Sequence, residues 1–200
     1  MPGKILLSTA YFPPSEYFSH IRNSDEVCIE QEENYLKQTY RNRCRILTSN
    51  GIMILSVPVL KGESIKTQTK DVRIDYSKRW QQVHLRALNS SYNRSPYFQF
   101  FSESFEKILI SNHKFLLDLN TELLQKCLEI LKMDTNISYT SYFEPANGTD
   151  NDLRYKLSPK EKSDFHQKTY IQVFNISGFV PRLSILDLIF NMGPESTDYL

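Results

Sequence analysis

The order of signals along the chain predicts an α/β fold. Three observations carry it: a strand–loop–helix–strand opening, a helical middle, and a return to strand and helix at the C-terminus. The opening consists of a short apolar run, Ile5-Leu6-Leu7-Ser8-Thr9-Ala10, and a second one at Val27-Cys28-Ile29. Between them lies an aromatic, proline-rich loop, Tyr11-Phe12-Pro13-Pro14-Ser15-Glu16-Tyr17-Phe18. That spacing suits a βαβ start, and in open α/β sheets ligands bind beyond the carboxyl ends of the strands. Tyr11 and Phe12 fall at that end. The expected architecture is one domain over residues 1–200, a mixed and mostly buried sheet with helices packed on it.

The elements follow in order. Residues 30–45 are polar, with Glu30, Glu32 and Glu33 followed by Lys37, Arg41, Arg43 and Arg45. Asn50-Gly51 is a hairpin signal that joins Arg45-Ile46-Leu47 to a strand at Ile52-Met53-Ile54-Leu55-Ser56-Val57-Pro58-Val59. Lys61-Gly62 marks a turn, and Val72-Arg73-Ile74 reads as a further strand. Ser77 is the expected cap of a helix whose buried stripe is Trp80, Val83, Ala87 and Leu88. Phe101, Phe105, Ile108 and Leu109 repeat that period. So do Leu116, Leu119, Leu123, Leu124, Leu128 and Leu131, with Asn120 as a candidate restart cap.

Strand alternation returns at Ile137-Ser138-Tyr139-Thr140-Ser141-Tyr142-Phe143. Residues 144–168 are polar and turn-rich, longer than an ordinary connector, and are expected to form a loop or lid. Tyr170-Ile171-Gln172-Val173-Phe174 then reads as a strand. A helix follows, capped by Ser184 with Asp187 as its capping-box partner and ended by Gly193-Pro194.

Composition excludes several classes. With 24 basic and 23 acidic residues the formal charge is +1, so no global field favours nucleic acid or an anionic membrane. No run approaches the roughly 18 apolar residues of a membrane span, and the N-terminal run is too short for a signal-peptide core. Cys28, Cys44 and Cys127 form no CxxC pair and read as thiols of a reducing cytoplasm, where the protein is expected to reside. No GxGxxG or Walker A sequence is present, and the four histidines show no metal-ligand spacing. His113 and Asp118 have a His-x4-Asp spacing but open a leucine-rich helix. Asp150-Asn151-Asp152 is a triplet that polar loops generate readily.

Two constellations carry candidate chemistry. His84 lies four residues from both Trp80 and Leu88, at the border of an apolar stripe, a position that suits proton transfer near neutrality. In the polar cluster, Arg43 is placed to clamp a carboxylate or phosphate while Asn42 and Tyr40 orient it. Asn34 and Lys37 belong to the same cluster. The bland alternatives stand beside these: a boundary histidine satisfied by a carbonyl, and a solvated edge of paired charges.

A family resemblance follows from many ordered segments. They are Tyr11-Phe12-Pro13-Pro14 with Tyr17-Phe18, Asn34-Tyr35 with Lys37, Tyr40-Arg41-Asn42-Arg43, Leu55-Ser56-Val57-Pro58-Val59, Trp80 with His84, and Tyr92 with Ser95-Pro96-Tyr97-Phe98. Asp152-Leu153-Arg154, Ser158-Pro159-Lys160 and the C-terminal segments continue the series. Together they resemble the WbqC-like family in the form found in Bacteroidetes. The resemblance implies a role among gene clusters for O-antigen and related surface polysaccharides, with glycine (aminoacyl) transfer as a suggested activity. It brings no established catalytic residues.

The expected function is therefore group transfer, of an acyl or aminoacyl unit onto a sugar amine or hydroxyl. His84 is the expected base. Arg43 and Asn42 hold the anionic part of a small-molecule donor or sugar nucleotide, and Tyr11, Tyr17 and Tyr97 stack on its planar part. The rival is a non-catalytic protein that binds a sugar nucleotide or a partner. Nucleotidyl transfer is a third reading, weakened by the absence of paired histidines in the first loop. No cofactor is assigned and no metal is expected.

Overall fold

The two N-terminal apolar runs pair in parallel. In the computed structural model, which describes residues 3–60, 67–146, 148–174 and 178–200, β1 spans Lys4–Ser8 and β2 spans Glu26–Glu30. Helix α1, Ser15–Arg22, connects them. The register sets Ile5 opposite Val27 and Leu7 opposite Ile29, and these four side chains enter the core with 0–8% exposure. A third strand, β5 at Asn136–Tyr139, joins β2 in parallel, giving the order β1-β2-β5.

The hairpin forms where Asn50-Gly51 places it: β3, Arg43–Thr48, runs antiparallel to β4, Gly51–Ser56. Gly51 takes a φ of 97°, a left-handed conformation that glycine enters without a Cβ penalty. The chain is thus a single α/β domain in which parallel and antiparallel pairing occupy two separate small sheets.

Four further helices complete it: α2 at Trp80–Tyr92, α3 at Phe98–Ile110, α4 at Leu116–Ile130 and α5 at Ile185–Met192. All six leucines read as the α4 stripe are buried. The Ser184 cap is present, its hydroxyl accepting from the Leu186 amide at 3.3 Å. The α5 side chains Ile185, Leu186, Leu188, Ile189 and Phe190 are 0–1% exposed, so the helix is sealed into the core.

Several local expectations are corrected. Helix α2 starts at Trp80, because Asp75 takes the Ser77 amide into a local turn at 2.8 Å. Its buried side is Trp80, His84, Leu88, Ser91 and Tyr92, and Val83 faces solvent at 59% exposure. Asn120 lies inside α4, where its amide donates to the Arg41 carbonyl and the Thr9 hydroxyl. Arg73 and Ile74 form isolated bridges with Phe115 and Val59, and Val72-Arg73-Ile74 is no regular strand.

Tyr170–Phe174 is not a strand either. The alternation is real, with Gln172 buried and Ile171 89% exposed, but side chains anchor it where a ladder was expected. The Tyr170 hydroxyl and the Gln172 amide both donate to the Asp187 carboxylate, at 2.7 and 2.9 Å. Asp187 is therefore an anchor for this segment and does not reach back to the helix cap. The Lys61-Gly62 turn lies outside the described residues.

Candidate functional site

The loop after β1 turns inward. Phe12 sits at φ 42°, unusual for a side chain with a Cβ, and the Tyr11 amide donates to the Tyr40 carbonyl at 2.8 Å. The Tyr11 ring is thereby carried under α2, where its hydroxyl meets His84 Nδ1 at 2.8 Å. The backbone carbonyl of Ser56 lies within hydrogen-bonding reach of the same imidazole. A carbonyl can only accept, so the ring nitrogen facing it carries the proton and Tyr11 donates to Nδ1. Burial is the main cause of a His84 pKa lowered to about 4, partly offset by the Ser56 carbonyl. The histidine is neutral at pH 7 and 3% exposed.

The carboxyl ends of the parallel strands hold a buried ion network. Glu30, the last residue of β2, accepts from the Glu32 and Glu33 amides and the Thr140 hydroxyl through one oxygen. Its other oxygen accepts from Arg154 at 2.8 Å. Arg154 also grips Asp152 through two nitrogens, at 2.9 and 2.7 Å. Nearby, Arg41 donates twice to Glu33 and once to the Ser8 hydroxyl. Residues 151–153 pair with Leu6 on the free edge of β1. The chain between β5 and that edge roofs a cleft of about 400 Å³, lined by Leu6, Cys28, Glu30, Tyr142, Asp152 and Arg154 among others. Glu30, Asp152 and Arg154 at its floor are already paired with one another.

A second cavity has the opposite character. Tyr40, Arg43, Arg45 and Lys160 line a hollow of about 170 Å³, with Gln38, Cys44, Ile54 and Pro159 completing the wall. No carboxylate is among them. Arg43, Arg45 and Lys160 enter no ion pair among the described residues. The Arg43 Nε and the Tyr40 hydroxyl are buried without a hydrogen-bond partner of normal geometry. Burial raises the Tyr40 pKa, with the Arg182 and Arg45 charges opposing the rise. The Tyr35 hydroxyl, pushed up to about 12 by burial against the nearby Arg41 and Arg43 charges, is likewise buried without a partner. Gln38 sits at φ 63°, so the turn bearing one wall is strained. Buried polar atoms are normally paired, and such a group of exceptions requires an explanation.

Comparison with known proteins adds the lineage. A profile of the WbqC-like protein family matches residues 9–171. The chain belongs to the WbqC-like protein family. A relative described as "Uncharacterized protein Rv1507c", from Mycobacterium tuberculosis (strain ATCC 25618 / H37Rv), is 28% identical over 222 aligned residues. The alignment covers 98% of this chain and 96% of that protein. No solved structure matches this WbqC-like chain significantly.

Across the WbqC-like fold the sequence-derived site residues separate. Tyr40 and Arg43 meet in the basic hollow. Tyr11, His84 and Asn42 lie behind it as internal supports. Ser56, which His84 faces, is the ladder partner of Arg43, and the Asn42 amide donates to the Val57 carbonyl at 2.8 Å. His84 and Arg43 are thus linked through β4 without opening onto a shared cleft. Tyr11 and Tyr17 are sealed at 0% and 3% exposure, and Tyr17 donates to the Ser8 carbonyl. Asn34 and Lys37 are exposed, Asn34 in an isolated bridge with Gln68. Tyr97 packs against Phe101 and beneath Gly193.

Arg45, Lys160, Glu30, Arg41, Asp152 and Arg154 escaped the candidate list. Arg45 carried a legible signal, since alternation along β3 puts it on the face of Arg43. Lys160 carried none, being more than a hundred residues away in a segment without period. Among the described residues no helix is long and apolar enough to cross a membrane, and no group of three or more His, Cys, Asp and Glu is placed to hold a metal ion.

Proposed function

We propose that this WbqC-like protein binds the anionic group of a small-molecule donor in the Tyr40–Arg43–Arg45–Lys160 hollow and supports transfer of a group from it to an acceptor such as a sugar. One observation carries the reading: a buried guanidinium nitrogen without a partner, that of Arg43, belongs to a cavity lined by three cations that enter no ion pair among the described residues. Preorganised donors of this kind bind a carboxylate or phosphate strongly, because their desolvation is already complete when the ligand arrives. At about 170 Å³ the hollow takes a head group, with the rest of the donor lying outside it. The lid role expected of segment 144–168 falls to its part around Pro159 and Lys160, which forms one wall.

A second reading, binding without catalysis, is supported by His84. Both sides of its ring are occupied and it lacks access to a cleft, so it does not supply the base. Thermal-shift screening against sugar nucleotides, acyl-CoA thioesters and amino acids tests the binding step. A true ligand at a hundredfold its Kd raises the melting temperature by about 5–10 °C, and Arg43→Ala abolishes the rise. Mass-spectrometric detection of a transferred group, with the ligand and a panel of amino sugars, then separates transfer from binding alone. No shift with any anion would end the proposal.

A further inference from the structure

We propose that the hollow is a phosphate site, closed by a strap at residues 158–161 that Arg182 latches in place. The inference rests on the anion-binding reading and narrows it to one chemical class. Three cationic side chains converge with no acid in the wall. A monoanionic carboxylate would leave most of that charge uncompensated, whereas a phosphate or diphosphate carries two or three negative charges and enough oxygens to accept from every donor present. Arg43 offers its buried Nε, Tyr40 its hydroxyl, Arg45 a second guanidinium and Lys160 a point charge at the rim. This pairing of planar forks with an ammonium is common in phosphate recognition.

The strap explains how Lys160 reaches the site. Arg182 donates to the Ser158 carbonyl at 3.3 Å and to the Glu161 carbonyl at 2.8 Å, bracketing Pro159 and Lys160. Its Nε holds Glu16 at 3.1 Å, and Ser163 donates to that same carboxylate. Arg182 itself sits at φ 57°, a conformation that a side chain with a Cβ keeps only when its surroundings enforce it. Glu16 acts on Tyr40 from nearby, but it is engaged by Arg182 and Ser163 and does not neutralise the hollow. The latch thus joins the first turn of α1, the strap and the residues before α5 at the mouth of one basic cavity.

Isothermal titration with inorganic pyrophosphate, with acetate and glycine as carboxylate controls, tests this directly. Pyrophosphate is expected to bind and the carboxylates not to. Arg43→Gln should weaken pyrophosphate about 10- to 100-fold, the range expected for losing a charge-assisted hydrogen bond. Lys160→Gln and Arg182→Ala should each weaken it, and the double variant should lose less than the two single losses combined, because part of the Arg182 effect runs through Lys160. Lys160 is exposed, so its variant folds and keeps the test valid where Arg182→Ala loses stability. Binding of carboxylates in preference to pyrophosphate would overturn the phosphate inference and leave the anion reading intact. Binding of neither would overturn both. Pyrophosphate binding indifferent to Lys160→Gln would remove the strap.

Discussion

His84 exchanges solvation for two hydrogen-bonding partners, and the exchange is favourable only while the ring is neutral. Its folded pKa of about 4 lies below the ordinary 6.5, so the unfolded chain binds a proton more readily. This contribution is fully present above pH 6.5 and declines as pH falls towards 4. It amounts to about 3 kcal/mol over that interval. Imidazole NMR titration should show one histidine with a midpoint near pH 4, and replacing it by Gln should flatten the acid limb of the stability curve. A midpoint near 6.5 for every histidine would refute the assignment. At this scale the sequence conveyed residue type well and exposure poorly. Tyr40 and Arg43, read from the sequence as one polar cluster, do line one hollow. His84 bordered an apolar stripe in the sequence, but whether that border opens to water is decided by Tyr11, 73 residues away.

Elements were legible wherever a local rule had no tertiary competitor. The β3–β4 hairpin rests on Asn50-Gly51, and α5 on its Ser184 cap and its glycine stop. The α2 start was misplaced because Asp75 competes for the Ser77 amide, and residues 170–174 mimic a strand because Asp187 holds alternate side chains inward. Glycine substitutions separate two kinds of stop. A Cβ at Gly51 meets nothing within 4 Å, so Gly51→Ala should cost only the backbone penalty, about 1–2 kcal/mol. At Gly193, φ is 54° and a Cβ would lie 2.5 Å from the Tyr97 ring. Gly193→Ala should cost about 2–5 kcal/mol, adding overpacking to strain. Chemical denaturation of the two variants checks this; equal losses would show that the Tyr97 ring yields freely.

For the molecule as a whole, the C-terminal segment decides whether a native state exists. Five α5 side chains are sealed from solvent, and burying each contributes roughly 1.5–3 kcal/mol, which together match the stability of an entire domain. Removal of residues 170–200 should leave an insoluble or molten product. A soluble fragment of residues 1–169 with a cooperative melt would contradict that. Class and domain count were legible from the chain because apolar runs and their periods are properties of sequence. The division into two sheets was not, since strand partners are chosen by packing across the molecule. The basic hollow was half legible, its β3 wall visible in alternation and its strap wall hidden in a segment without pattern.

The Glu30–Arg154 pair also orders events in time. A ribosome delivers Glu30 more than a hundred residues before its guanidinium partner, and the β5 flank of β2 arrives at nearly the same late stage. Until then the nascent sheet consists of two strands, with a carboxylate at its end that no counter-ion has reached. The buried pairing at the end of β2 is therefore complete only once residue 154 has left the ribosome.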